Sequence, residues 1–209
     1  MRLLIVGDSH CRDMETLIDD IMDHYAQVLS VIVGGQTLPI KMKYRDLLQK
    51  IIKFDPSHVL LHLGHNELAR HPTKNTVPSI SRDIATETLS FAREISTNFP
   101  SATICISAIF PRTFTRRSYL SNKEVTKFNK DVDRHALRIR KQATEEGFLC
   151  AMNNPIWRRI SKSEEDPNFF MIDGFHLDPS AKRIIAKNWL ISLGVLNPDP
   201  IAPANINIV

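Results

Sequence analysis

Nothing in the 209-residue chain approaches the roughly 20 consecutive apolar residues that a bilayer-spanning helix requires, so no transmembrane segment is expected. Cysteine is scarce as well. Cys11, Cys105 and Cys150 make an odd count without framework spacing, and two of them lie in the apolar runs ICISAIF and FLCAM. That excludes a disulfide-stapled scaffold and predicts a reducing, cytoplasmic compartment. The opening MRLLIVG holds one basic residue and a very short apolar run, and it passes directly into a loop motif, so it reads as a strand and not as a leader. An excess of either charge is also missing: 27 Lys and Arg against 23 Asp and Glu leave +4. This permits weak attraction to anionic partners but falls short of a dedicated nucleic-acid arm. Internal repeats and low-complexity tracts are absent too.

What is present is a chain of 43% hydrophobic residues, enough for one packed domain, expected over 1–196. The tail NPDPIAPANINIV, 197–209, has three prolines and is expected to be irregular. Short runs rich in Val, Ile and Leu at 3–7, 28–35, 58–64, 102–110 and 147–152 lack polar alternation and read as strands buried on both faces. Helical patterns fall between them, at about 13–25, 44–54, 81–99, 122–146 and 180–193. Asp55-Pro56 and Asn98-Phe99-Pro100 mark stops, Asp178-Pro179-Ser180 marks a helix start, and 153–171 reads as a long exposed loop. The order βαβαβαβαβα predicts an α/β fold, a three-layer α/β/α sandwich around a five-stranded parallel sheet with right-handed crossovers. Ligands in such sheets bind beyond the carboxyl ends of the strands. The residues to weigh are therefore those just after each strand.

Four pieces lie there or near the end of the chain: Gly7-Asp8-Ser9, Gly34-Gly35-Gln36-Thr37, Gly64-His65-Asn66-Glu67 and Asp173-Gly174-Phe175-His176. Taken singly, Ser9 reads as a helix N-cap, the glycines and Asn66 as turn residues, and Asp173 and His176 as a surface turn. Taken together they supply what acyl transfer requires. A serine hydroxyl needs an imidazole to take its proton, and the imidazole needs a carboxylate to fix its tautomer. Asp173 and His176 provide that pair, while the backbone N–H groups of Ser9 and Gly35 and the amide of Asn66 could receive the developing oxyanion.

The order GDS, then glycine after the second strand, then G-x-N after the third, then D-x-x-H resembles the SGNH hydrolases, the GDSL-type esterases and lipases. The resemblance covers nearly the whole chain. It implies Ser9 as nucleophile, Gly35 and Asn66 as oxyanion donors, and His176 as general base oriented by Asp173. It also implies a sheet of flavodoxin-like order, a carboxylic ester substrate and no cofactor. His10 stands where many members carry leucine, which favours a short acyl group over a long one, and Glu67 stands where aspartate is usual. The GDSH variant is also similar to esterase domains encoded by some retrotransposons.

Three other readings compete. His62, His65, Asp173 and His176 could ligate a metal ion, although His62 falls in a buried run and reads as a core residue, so no metal is expected. Arg112, Arg116, Arg117, Arg134, Arg138, Arg140, Lys141, Arg158 and Arg159 could form an RNA- or protein-binding surface, against the plainer reading of a solvated helix face. Cys11 could be a reactive thiol near a helix start, but it reads better as a small residue packed beneath the first helix. Oligomeric state is not legible.

Overall fold

Leu3, Leu4, Ile5 and Val6 are all buried, which is possible only for a strand covered on both faces. In the computed structural model these residues form the centre of β1 (Arg2–Gly7), flanked by β2 (Gln27–Ile32) and β3 (His58–His62). The structure describes residues 1–32, 49–69, 77–113, 121–152, 170–171, 173 and 176–198. β4 (Thr103–Ser107) and β5 (Leu149–Ala151) complete a sheet of order β2-β1-β3-β4-β5, every pair parallel. This is the flavodoxin-like order, and its switch point lies between β1 and β3.

Side chains alternate across the sheet into two apolar layers. Leu3, Ile5, Leu60 and Cys105 pack with Met14 and Ile18 of α1 (Met14–Ile21) and with Ile185 and Trp189 of the last helix, Pro179–Ser192. Leu4, Val6, Val59, Leu61, Ile104 and Ile106 face the other way. They meet Ile51 in the helical residues 49–54 (α2), Leu89 and Ile95 of Val77–Asn98, and Ile139 of Asn122–Glu145. With a short helix at His65–Ala69, these are α3 (His65–Ala69), α4 (Val77–Asn98), α5 (Asn122–Glu145) and α6 (Pro179–Ser192).

The five strands agree in type with the sequence reading, α3 replaces an expected turn, and several boundaries move for identifiable reasons. α1 stops at Ile21 and not near Tyr25, because Asp23 and His24 take positive φ of 49° and 61° and turn the chain into β2. α4 begins at Val77, four residues before the expected start. Ala108, Ile109 and Phe110 are buried but lie outside β4; the Ala108 N–H still donates to the carbonyl of Ala151, the last residue of β5, at 3.0 Å. Their apolar character serves packing at the sheet end. The expected loop at 153–171 falls outside the described residues except for 170 and 171, and so does the tail from 199 onward.

Candidate active site

β1 ends in Gly7, where an added Cβ would collide with the Cys11 Sγ, so the chain can turn tightly there only without a side chain. A 3₁₀ turn, Ser9–Cys11, follows. Its cap is Asp8, whose Oδ1 accepts the His10 N–H at 3.0 Å and lies 2.8 Å from the His10 Nδ1. Capping thus falls to the aspartate, leaving the serine hydroxyl to face elsewhere. Ser9 Oγ lies 3.3 Å from His176 Nε2.

His176 arrives on a turn between Phe170 and Leu177, which form an antiparallel bridge with both side chains buried. The Met171 N–H donates to the His176 carbonyl at 2.8 Å. Asp173 holds the histidine twice: its Oδ1 accepts the His176 N–H at 3.0 Å and its Oδ2 sits 2.7 Å from Nδ1. A neutral ring that donates from Nδ1 presents a bare Nε2 to the serine. Asp178 then caps α6 through the Ser180 N–H at 2.8 Å, with Pro179 in the first turn. From that helix Lys182 reaches back to the Arg12 carbonyl at 3.0 Å and to Asp13 at 3.1 Å, tying the base-bearing end of the chain to the nucleophile turn.

The third loop leaves the sheet beside the first, because Gly7 and His62 are register partners. Gly64 has φ of +98°, and a Cβ there would meet Ile84 of α4, so this corner too requires glycine. The short α3 starts at once and carries Asn66, half-buried, in its first turn. Gly35 lies outside the described residues; the end of β2 that leads to it, Ile32, is in register with Gly7. The structure therefore brings Ser9, His176 and Asp173 into contact and sets the Asn66 loop alongside.

His10, the residue after Ser9, belongs to a group of rings that the sequence reading did not assemble. His10 stacks on His65 at 4.3 Å and 28°, meets Phe110 and His62 edge-on, and lies 5.4 Å from the His176 ring. Phe110 stacks in turn on His62 at 4.1 Å. His62 is fully buried, its Nδ1 3.2 Å from Ser107 Oγ, which also accepts the Trp189 Nε1–H at 2.9 Å. Burial drives the His62 pKa down to about 4 and that of His65 well below its ordinary value, so both rings are neutral near pH 7. Burial alone would raise the Asp8 carboxyl, but the adjoining His10 outweighs it and brings the pKa to about 2. The signal for this cluster was three histidines at the ends of two neighbouring strands, His10, His62 and His65.

Arg112, grouped by sequence with a basic surface, is instead 2% exposed. Its Nε donates to His65 Nε2 at 3.3 Å and its guanidinium lies 4.4 Å over the Phe128 ring. A long cation following a strand reads as surface unless the packing is known. Arg134, Arg140 and Lys141 are exposed on α5, and Arg138 is half-buried. Arg116, Arg117, Arg158 and Arg159 lie outside the described residues. Cys11 is buried, and desolvation pushes its thiol well above the usual range, which suits packing and not nucleophilic attack.

Among the described residues, Asp8, His10 and His65 are grouped as a metal site would require, with one ligand atom of each within 4.8 Å of the others. Asp8 Oδ1 is already engaged twice by His10, and the Arg112 guanidinium bonded to His65 opposes a further cation there.

The profile of GDSL-like lipases and acylhydrolases matches residues 6–189. The chain belongs to that family. It is a hydrolase of the SGNH type acting on carboxylic esters, and among the described residues no helix is long and apolar enough to cross a membrane. Solved structures of the same fold include an acetyl xylan esterase, 15% identical, with 92% of this chain and 99% of that one covered at a TM-score of 0.65. A lipase/acylhydrolase from Enterococcus faecalis is 13% identical, with 96% and 100% covered at 0.61. A catalytic mutant of an acetylxylan esterase from Geobacillus stearothermophilus is 13% identical, with 92% and 94% covered at 0.62. No curated protein sequence matches the chain.

Proposed function

We propose that this hydrolase cleaves short acyl or acetyl esters through a covalent acyl-enzyme on Ser9. The observation that carries the reading is the contact of Ser9 Oγ with His176 Nε2 at 3.3 Å, with Asp173 bonded behind at 2.7 Å. Ser9 Oγ attacks the ester carbonyl and its proton passes to His176 Nε2, while Asp173 steadies the imidazolium. The tetrahedral oxyanion is received by the Ser9 and Gly35 N–H groups and the Asn66 amide. The imidazolium then protonates the departing alcohol, and a water activated by the same ring releases the acid. The short acyl preference is supported by His10, the residue after Ser9, which stands where leucine is common and brings a buried imidazole stacked on His65 next to the nucleophile turn. The acetyl esterases that share the fold are compatible with it. Three free cysteines support action in a reducing, cytoplasmic compartment.

Ser9→Ala should lower kcat on a p-nitrophenyl acetate substrate by about 10⁴-fold or more. A fluorophosphonate probe should label the protein, with the adduct mapped to the peptide bearing Ser9. An unchanged rate in Ser9→Ala, or labelling elsewhere that survives this substitution, would overturn the mechanism. Asn66→Ala should cost on the order of 10²-fold to 10³-fold in kcat, the loss of one oxyanion donor.

A further inference from the structure

Ser9 and Asn66 each have a histidine as a direct neighbour in the chain, and those two rings are stacked on each other. His10 follows the serine, His65 precedes the asparagine, and their centroids are 4.3 Å apart with planes 28° from parallel. Both side chains are buried, and each is held from its own side. Asp8 Oδ1 grips His10 at Nδ1 and at its backbone N–H. The Arg112 Nε donates to His65 Nε2. Arg112 is itself fixed to α5: its N–H donates to Asn129 Oδ1 and its carbonyl accepts from Asn129 Nδ2, both at 2.8 Å, while its guanidinium covers Phe128.

We infer that the row Asp8–His10–His65–Arg112 is a positioning device: a ring-on-ring clip that fixes the spacing between the nucleophile turn and the helix start carrying Asn66. The two loops leave adjacent strands, and the sheet sets their relative position only as far as the pairing of Gly7 with His62. Beyond that point their alignment depends on side chains. An oxyanion donor works only within about 2.7–3.1 Å of the oxygen it receives, so a small slip between the loops is costly; a misplacement of 1 Å is worth about 10²-fold in rate. The stacked rings resist that slip, because His10 is also boxed edge-on by Phe110 and His62 and cannot follow a moving His65. His10 lies beside the His176 ring as well, at 5.4 Å, so one side chain borders the nucleophile, the base and the oxyanion loop. Neither His10 nor His65 transfers a proton in this scheme. The burial that keeps His65 neutral also fits it as the acceptor of the arginine N–H.

The inference rests on Ser9 as nucleophile and Asn66 as oxyanion donor, and its test separates the two levels. His10→Leu, His65→Leu and the double variant are compared with wild type for kcat, KM and melting temperature on a p-nitrophenyl acetate substrate. Each single change should lower kcat by about 10- to 100-fold with KM nearly unchanged. The double should cost no more than the worse single, because either change already opens the clip. His65→Phe, which keeps a stacking ring, should retain most of kcat. A folded His10→Leu protein with wild-type kcat, or losses that multiply in the double variant, would overturn the clip. If His65→Leu does not fold, His10→Leu decides alone by the same kcat criterion. Ser9→Ala, run in parallel, marks the other failure: retained activity there would remove the acyl-enzyme reading whatever the histidine variants do.

Discussion

Asp8 and Asp173 each lie within hydrogen-bonding distance of an imidazole Nδ1, at 2.8 and 2.7 Å, yet they stand in different places and do different work. Asp8 is buried and its Oδ1 both caps a turn and holds the His10 ring, whereas Asp173 is partly exposed and holds the ring whose far nitrogen reaches Ser9. Asp173→Asn should therefore drop kcat by about 10⁴-fold while leaving the fold intact, because an amide no longer holds the ring with its proton on Nδ1. The check is steady-state kinetics on a short ester beside a circular-dichroism melt; activity within tenfold of wild type would remove Asp173 from the mechanism. Gly64 makes the complementary case of a residue with no chemistry of its own. Its φ of +98° and the contact a Cβ would make with Ile84 predict that Gly64→Ala lowers stability by roughly 1–3 kcal/mol, read as a lower melting temperature. A variant as stable as wild type would show that the corner relaxes freely.

Elements carry these residues to one rim, and α6 does so from the far end of the chain. Its cap residue, Asp178, lies two positions beyond His176, so Asp178→Ala should cost about 1 kcal/mol of stability and loosen the base-bearing turn. Urea denaturation would read the first effect, and no change in midpoint would argue that Pro179 alone sets the helix start. Most of this level was legible: the five apolar runs are the five strands, and Asp178-Pro179 announces α6 because proline and a capping carboxylate act locally. What was not legible depends on tertiary packing. α3 escaped notice because Gly64-His65-Asn66-Glu67 has the composition of a turn, and a five-residue helix has no room for periodicity. The contact between Ser9 and His176 spans 167 positions in sequence, and motif order implied it where no local signal could. The stack of His10 on His65 had no motif at all, since two histidines on different strands say nothing of their distance until register is known.

Across the whole molecule, buried histidines link stability to pH. His62 at the end of β3 and His135 in the contact of α5 with α4 are both desolvated, and each has its pKa lowered to about 4; His135 Nδ1 donates to the Ser81 carbonyl at 3.3 Å. Unfolded, these rings take up protons near the ordinary value of 6.5, so between about 4 and 6.5 the unfolded chain binds more protons than the folded one. Stability therefore falls as pH falls through that window, by on the order of 3 kcal/mol for each ring over its full span. Asp8 acts in the same direction at lower pH: its carboxyl is 3.8 unfolded and about 2 folded, and the stability it supplies is lost as pH drops through that lower range. Asp131, raised by burial, works in the opposite sense. Melting temperature should hence decline steadily from pH 7 to pH 4, and His135→Gln should be less stable than wild type at pH 7 yet lose less on acidification. Thermal melts of both proteins across that range give the answer. Two parallel curves would mean that His135 takes up its proton without unfolding, and that the acid sensitivity of the fold lies elsewhere.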